Sequence, residues 1–353
     1  MNAITRRETI SNSNLLLLIS TVIFVLMYGF AILFYPHSFL QYQTFFDLFS
    51  LNAALIIITL GESIVMIGGG IDISIGAVTG LVTMCCAVFL ELGKGSVGGS
   101  MLLALGIGIA FGLLQGFLIA YLEIQPFIIT LAGMFLANGL LTTIHKDPLN
   151  VAMPNFVRLR DFVIVIPWLG TTNRLGNFIP LEVKPGAIVV VVLIIALATF
   201  LHWSRFGRNL YAVGGSNQSA LMLGINVKRT KFFSYVLCGL LSGIAGFVFI
   251  MTTGAGNVGN ASGFEMKAIA GSIIGGTMLT GGVGNLIGSP IGALTLLTIN
   301  ELIRAVGINS NFQSIASGML LCIFIVLQSS VLWLRRTGGF KLRSRRHHQP
   351  AQL

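Results

Sequence analysis

Uninterrupted apolar runs as long as a bilayer is thick are what most constrain this chain. Residues 15–35 contain no charge over 21 positions, and residues 101–122 form a second uncharged run. A helix needs about 20 apolar residues to cross a hydrocarbon core of about 30 Å. Strands of a membrane barrel would instead alternate polar and apolar positions over segments of about 10 residues, and these runs do not alternate. The expected fold class is therefore an all-α integral membrane protein. Composition agrees, with 55% hydrophobic and only 9% charged residues, far from a soluble globular balance.

Apolar periodicity places ten spans, at 15–35, 48–68, 73–92, 99–122, 125–144, 185–203, 232–252, 265–281, 286–307 and 312–334. The first run exceeds a signal-peptide core and lacks a small-x-small site before Pro36, so it is read as a retained span. Charge decides the orientation. With a cytoplasmic N-terminus, Arg6, Arg7, Arg205, Arg208, Lys228, Arg229, Lys231 and the six basic residues of 335–346 fall inside. Lys94, Lys146, Arg158, Arg160, Arg174 and Lys184 fall outside. Both termini are thus expected in the cytoplasm, with a periplasmic loop at 145–184, a cytoplasmic interval at 204–231 and a basic cytoplasmic tail at 335–353. The whole chain, 1–353, reads as a single membrane domain.

The net charge of +10 is spread over loops and ends, which argues against a nucleic-acid surface and for contact with the lipid bilayer. The tail either holds the last helix at an anionic leaflet or is simply solvated. Cys85, Cys86, Cys238 and Cys322 lie in apolar runs without C-x-x-C spacing and read as small hydrophobes, and His347 with His348 is too weak a pattern for a metal site. No G-x-x-x-x-G-K-[ST] loop is present, so ATP hydrolysis is not expected of this chain, and GAGNVG at 254–259 follows a span rather than a strand. No enzyme activity, catalytic residue, metal or cofactor is expected.

Two glycine-rich interruptions stand out. Residues 68–76 read GGGIDISIG, which is either a tight turn with Asp72 and Ser74 capping the next helix, or a broken span lining a pathway. Gly69, Gly70, Asp72 and Ser74 are the candidates there, together with Glu62, an ionisable group inside an apolar run. Residues 271–292, GSIIGGTMLTGGVGNLIGSPIG, are the second interruption, from which Gly275 and Gly276 are pathway candidates and close helix packing is the alternative. SIVMIGGG at 63–70 and SIIGGTML at 272–279 hint at two related halves.

The runs GGIDISIG (69–76), RFGRNLYAVGGSNQSALMLGINVKRTKFFSYVLCGLLSGIAG (205–246) and IAGSIIGGTMLTGGVGNLIGSPIG (269–292) resemble the permease subunits of bacterial ABC importers for monosaccharides, the ribose, arabinose, xylose and galactofuranose group. FIITLAGMF (127–135) with IGGTMLTGGVG (274–284) is most similar to a galactofuranose importer permease. The resemblance implies transport by alternating access in the bacterial inner membrane. It also implies an ABC ATPase subunit carrying ATP and Mg, a second permease, identical or homologous, and a periplasmic sugar-binding protein. It places an ATPase-coupling helix at Gly214, Gly215, Asn217, Ala220 and Gly224, where small residues at Ser219 and Ala220 would let a short helix lie in a groove of the ATPase; on the residues alone the segment is either that or a surface helix with no partner. The sequence departs from the usual pattern at Ser216 (commonly Asn), Ser219 (commonly Ala) and Glu62 (commonly Met or Gln), and has Ile where GGIDLSVG has Leu and Val. The alternative is a proton-coupled secondary transporter or channel using Glu62 and Asp72.

Overall fold

A computed structural model describes residues 3–172, 178–307 and 311–336. Arg174 and the tail beyond Arg336, with Lys341, Arg343, Arg345, Arg346, His347 and His348, lie outside the described residues. The helices run α1 (Ala3–Phe34), α2 (Pro36–Phe39), α3 (Tyr42–Leu51), α4 (Ala53–Ile67), α5 (Ile75–Glu91), α6 (Val97–Ala120), α7 (Pro126–Ile144) and α8 (Pro154–Arg160). They continue as α9 (Pro185–Trp203), α10 (Arg205–Gly215), α11 (Asn217–Met222), α12 (Val227–Thr253), α13 (Phe264–Ile274), α14 (Gly288–Ala305) and α15 (Asn311–Arg336).

Among the described residues, five helices are long and apolar enough to cross a membrane, and a sixth span results if α3 and α4, bent by 59°, count as one. This is fewer than the ten uniform spans expected from apolar periodicity, because hydropathy does not register where a helix stops. The expected span 265–281 ends as helix at Ile274, leaving 11 helical residues. At 1.5 Å per residue that is about 16 Å, roughly half the hydrocarbon core. The expected span 73–92 begins as helix only at Ile75.

The core centres on α4 and α12. Every residue of α4 is buried, and α12 packs along α4, α5 and α6. Lipid-length helices α1, α6, α7 and α9 instead expose leucine, isoleucine, valine and phenylalanine on their outer faces. Close contact between α6 and α12 depends on small residues one turn apart, Gly108 and Gly112 against Gly239 and Gly243, with Gly116 against the Phe232 carbonyl and Tyr235. A Cβ at Gly239 would strike the backbone of Gly108 and Gly112.

Connections sort onto two faces at opposite ends of α9. On one face the chain at 145–184 forms α8 and a hairpin of β2 (Ile164–Thr172) with β3 (Phe178–Val183), and β1 (Leu149–Asn150) pairs antiparallel with β4 (Ala255–Gly256). Pro167 falls in the irregularity between Ile166 and Gly170, where a missing ladder N–H is tolerated. Ala152 N–H donates to Glu91 at 2.8 Å, which brings the α5 terminus to that face. On the other face Glu123, between α6 and α7, pairs with Lys228 at 2.8 Å. The hydrogen bond from Lys228, reinforced by its charge, holds the Glu123 carboxyl below the usual carboxylate range. Ser13 of α1 reaches the Gly284 carbonyl on the same face, at 2.7 Å.

The α6–α12 contact leads to a direct test. Gly239→Val is expected to cost about 1–3 kcal/mol or more by overpacking, read as a lowered Tm of the detergent-purified chain. Gly106→Val, a position with nothing within 4 Å of a built Cβ, is the control expected to leave Tm unchanged.

Candidate functional site

Two helices of this fold stop short inside it, and they stop in the same way. At the end of α4 the Gly68 N–H bonds to Ile64 O, Gly69 to Met66 O and Gly70 to Val65 O, with Gly69 at φ +79°. At the end of α13 the Gly275 N–H bonds to Gly271 O, Gly276 to Ile273 O and Thr277 to Ser272 O, with Gly276 at φ +93°. Each is a Schellman termination, which needs a left-handed residue where the helix ends and therefore favours glycine. The geometry makes Val65 the counterpart of Ser272, two residues away from the register in which Ser63 faces Ser272. Those two serines meet directly instead, Ser63 Oγ donating to Ser272 Oγ at 2.8 Å, with Ser289 of α14 completing a buried cluster.

The first interruption holds the buried acids. Glu62 is fully buried, and its Oε1 accepts the Asp72 N–H at 3.3 Å while Oε2 has no partner among the described residues. Asp72 Oδ1 accepts the Ser74 N–H at 2.9 Å and the Ser74 hydroxyl at 2.6 Å. Of the expected pair capping α5, Asp72 accepts the Ser74 N–H at the helix start, whereas the Ser74 hydroxyl is engaged by Asp72 and makes no cap bond of its own. Gln115 of α6 donates through Nε2 to Ser74 Oγ at 2.8 Å, and Cys238 of α12 lies with Sγ 3.4 Å from Asp72 Oδ2. The Tyr235 hydroxyl donates to Ile71 O at 3.2 Å and fills the space beside Gly70. Cys238 is a free thiol, 11 residues into α12. At 1.5 Å per residue the cluster sits about 16 Å along that helix, close to its middle.

Glu62, Gly70, Asp72 and Ser74 are thus brought together. Gly275 and Gly276 are not with them: they abut Gly288 of α14 and Leu16 of α1. Gln115, Tyr235 and Cys238 were not among the residues singled out from sequence. A lone amide in an apolar run marks Gln115 in the same way that a lone carboxyl marks Glu62, whereas nothing local distinguishes Cys238.

The second assembly is made of backbone. Gly214, near the end of α10, abuts the Ile67 carbonyl and the Gly282 amide with no room for a Cβ. Gly282 N–H donates to Ile67 O at 2.9 Å, and Gly69 lies against Gly214 and Gly281. Three chain segments distant in sequence, around Ile67, Gly214 and Gly282, meet there. Tyr211 of α10 adds a hydrogen bond from its hydroxyl to Gly284 O at 3.0 Å.

From that point α11 projects outward. Ser216 caps it by accepting the Ser219 N–H, and Gly224, at φ +74°, ends it. Asn217, with its amide oriented to donate to Val213 O and accept from Lys231 Nζ at 3.1 Å each, ties α11 back to α10 and α12. Ala220 does not face outward as a docking residue would. It is 1% exposed and packs on Val213, Val227 and Ile225. The exposed apolar surface is Leu221, Met222 and Leu223, with Met222 at 89%.

A protein family described as branched-chain amino acid transport system / permease component matches residues 44–326. Both assemblies lie within the matched residues. The chain belongs to this permease family. It is similar to the inner membrane ABC transporter permease protein YjfF of Escherichia coli (strain K12), 37% identical over 92% of this chain and 95% of that one. The fructose import permease protein FruG of Bifidobacterium longum (strain NCC 2705) is 35% identical over 81% of this chain and 82% of its own length. The ribose import permease protein RbsC of Escherichia coli (strain K12) is 28% identical over 83% and 87%. The resemblance to ABC sugar-importer permeases thus extends over most of the permease. The solutes in these names differ, so membership defines a membrane permease and not its solute.

The acid cluster carries a test of its own. Asp72→Ala leaves the buried Ser74 N–H without its acceptor and should destabilise the permease by about 1–3 kcal/mol. Asp72→Asn keeps one acceptor oxygen and should recover at least half of that loss, as compared by Tm of the purified variants. Equal Tm for all three proteins would show that the cluster contributes nothing to the fold.

Proposed function

We propose that this permease is one membrane subunit of an ATP-binding-cassette importer in a bacterial inner membrane, forming with a second permease, identical or homologous, the path for a monosaccharide. A pentose or hexose fits the names of several relatives, and galactofuranose is the specific sugar the sequence resemblance implies. ATP is hydrolysed on a separate ATPase subunit, and a periplasmic binding protein delivers the sugar.

The observation that carries this reading is the backbone junction of Gly214 with Ile67, Gly69 and Gly282. An ATPase gripping α11 through Leu221, Met222 and Leu223 would move α10 with it. Because α10 meets the end of α4 and the loop that follows α13 through glycine backbone, the displacement passes to them without being absorbed by side-chain rotamers. The glycines Gly214, Gly215 and Gly224 act in this reading by shape, Asn217 by fixing α11, and Ala220 by seating it. Gln115, Ser74, Asp72 and Glu62 supply hydrogen-bonding groups at mid-depth suited to sugar hydroxyls once the path opens. A proton-coupled carrier built on Glu62 and Asp72 is not favoured, since the similar proteins are permeases of ABC importers.

The test targets the outward residues and not the buried one. Met222→Asp places a charge where an apolar contact is required and should reduce co-purification with the ATPase subunit by about tenfold or more, the range of a lost interface anchor. ATP-dependent sugar uptake in reconstituted vesicles should fall in parallel, with Tm unchanged. Undiminished association and uptake would refute α11 as the coupling element. Uptake abolished by collapsing the proton gradient with ATP maintained would refute the importer reading itself.

A further inference from the structure

A groove of about 650 Å³ opens between α6, α9, α10 and α12, separate from both assemblies described above. Its volume is in the range of about 300–1,000 Å³ typical of small-molecule sites. Polar groups are confined to one end, where Arg205, Asn209, Asn226 and Arg229 gather at the junction of α9 with α10 and at the start of α12. The rest of the wall is apolar, with Phe200 from α9, Ile109 from α6, and Phe233, Val236 and Leu240 along α12.

Arg205 and Arg229 are exposed, and neither forms an ion pair among the described residues. Arg229 is held over the Phe233 ring at 5.7 Å, which fixes its guanidinium at the groove mouth. Nearby Lys228 is already paired with Glu123, so the free positive charge at the mouth belongs to the two arginines. From Arg229 to Leu240 the groove follows α12 for 11 residues, about 16 Å, which is close to the depth of one leaflet.

We propose that this groove binds one anionic phospholipid, with its phosphate on Arg205 and Arg229 and an acyl chain along Phe233, Val236 and Leu240. Charge and depth together select this occupant. A paired guanidinium mouth suits a phosphate, and basic pockets between membrane helices recognise anionic headgroups. The chain's own terminal segment is strongly basic and would be repelled. An ATPase subunit docking from water would reach the mouth but not the wall at membrane depth. The bound lipid would brace α10 against α12 beside the Gly214 junction, linking membrane composition to the position of the coupling segment.

Native mass spectrometry of the detergent-solubilised full chain tests this, with palmitoyl-oleoyl phosphatidylglycerol and phosphatidylcholine as probes and glycerol 1-phosphate as competitor. One phosphatidylglycerol is expected to bind about tenfold or more tightly than phosphatidylcholine, and Arg205→Gln/Arg229→Gln should bring the two lipids to within about twofold. Glycerol 1-phosphate, lacking the chain, should not displace the lipid. Each single variant should lose part of the preference, which keeps the test valid if the double variant does not fold. Equal affinity for the two lipids, an undiminished preference in variants that elute as a single species, or displacement by glycerol 1-phosphate would each overturn the proposal. Failure of this test leaves the importer reading intact, since ATPase association and uptake are measured independently of it.

Discussion

A helix that stops inside a bilayer leaves carbonyls on its last turn that hydrocarbon cannot satisfy, and this fold depends on how those groups are met. α4 and α13 each end well within the folded chain. Both use a left-handed glycine to turn three N–H groups back on their own last turn. What remains at the end of α4, the Ile67 carbonyl, accepts from Gly282 beyond the end of α13. That single hydrogen bond therefore joins the two interruptions, and the absence of side chains at Gly214, Gly281 and Gly282 is what lets a third segment approach them.

The acid cluster follows a different physical rule. Two buried carboxyls without a described cationic partner would be costly unless their oxygens accept hydrogen bonds. Asp72 is well supplied, with the Ser74 amide and hydroxyl on one oxygen and the Cys238 thiol near the other. Glu62 is supplied on one oxygen only. An incompletely satisfied buried polar group is a stability cost that an ordinary core would avoid.

Helical membrane architecture was legible in the sequence because apolar run length is set directly by bilayer thickness. So were the interruptions at 68–76 and 271–292, since glycine is what a left-handed helix end selects. The number of full-length helices was not, because Phe264–Ile274 and the loop after it are equally apolar, and hydropathy cannot separate helix from well-capped loop. Gln115, Tyr235 and Cys238 were missed since they reach the 71–74 segment from 41 to 166 residues away. The likeness of 63–70 to 272–279 pairs Ser63 with Ser272, whereas the matching helix-end hydrogen bonds pair Val65 with Ser272. Helix termination is set by backbone geometry, and side-chain identity two residues off is a weak guide to it.

On α11, the proposed coupling segment, the small residue and the largest exposed one face opposite ways. Ala220 and Met222 are two residues apart, and on a helix of 3.6 residues per turn they point in directions about 160° apart. Smallness at Ala220 serves contact with Val213 and Val227 on the inner side, so the residues free to meet a partner are the large apolar ones opposite. The same division holds across the junction. Inward contacts are made by backbone and small side chains that leave little room, and the outward surface is left to Leu221, Met222 and Leu223, which are exposed. A segment built that way is tightly packed toward the membrane helices and apolar away from them, the asymmetry that the proposed link to an ATPase subunit would use.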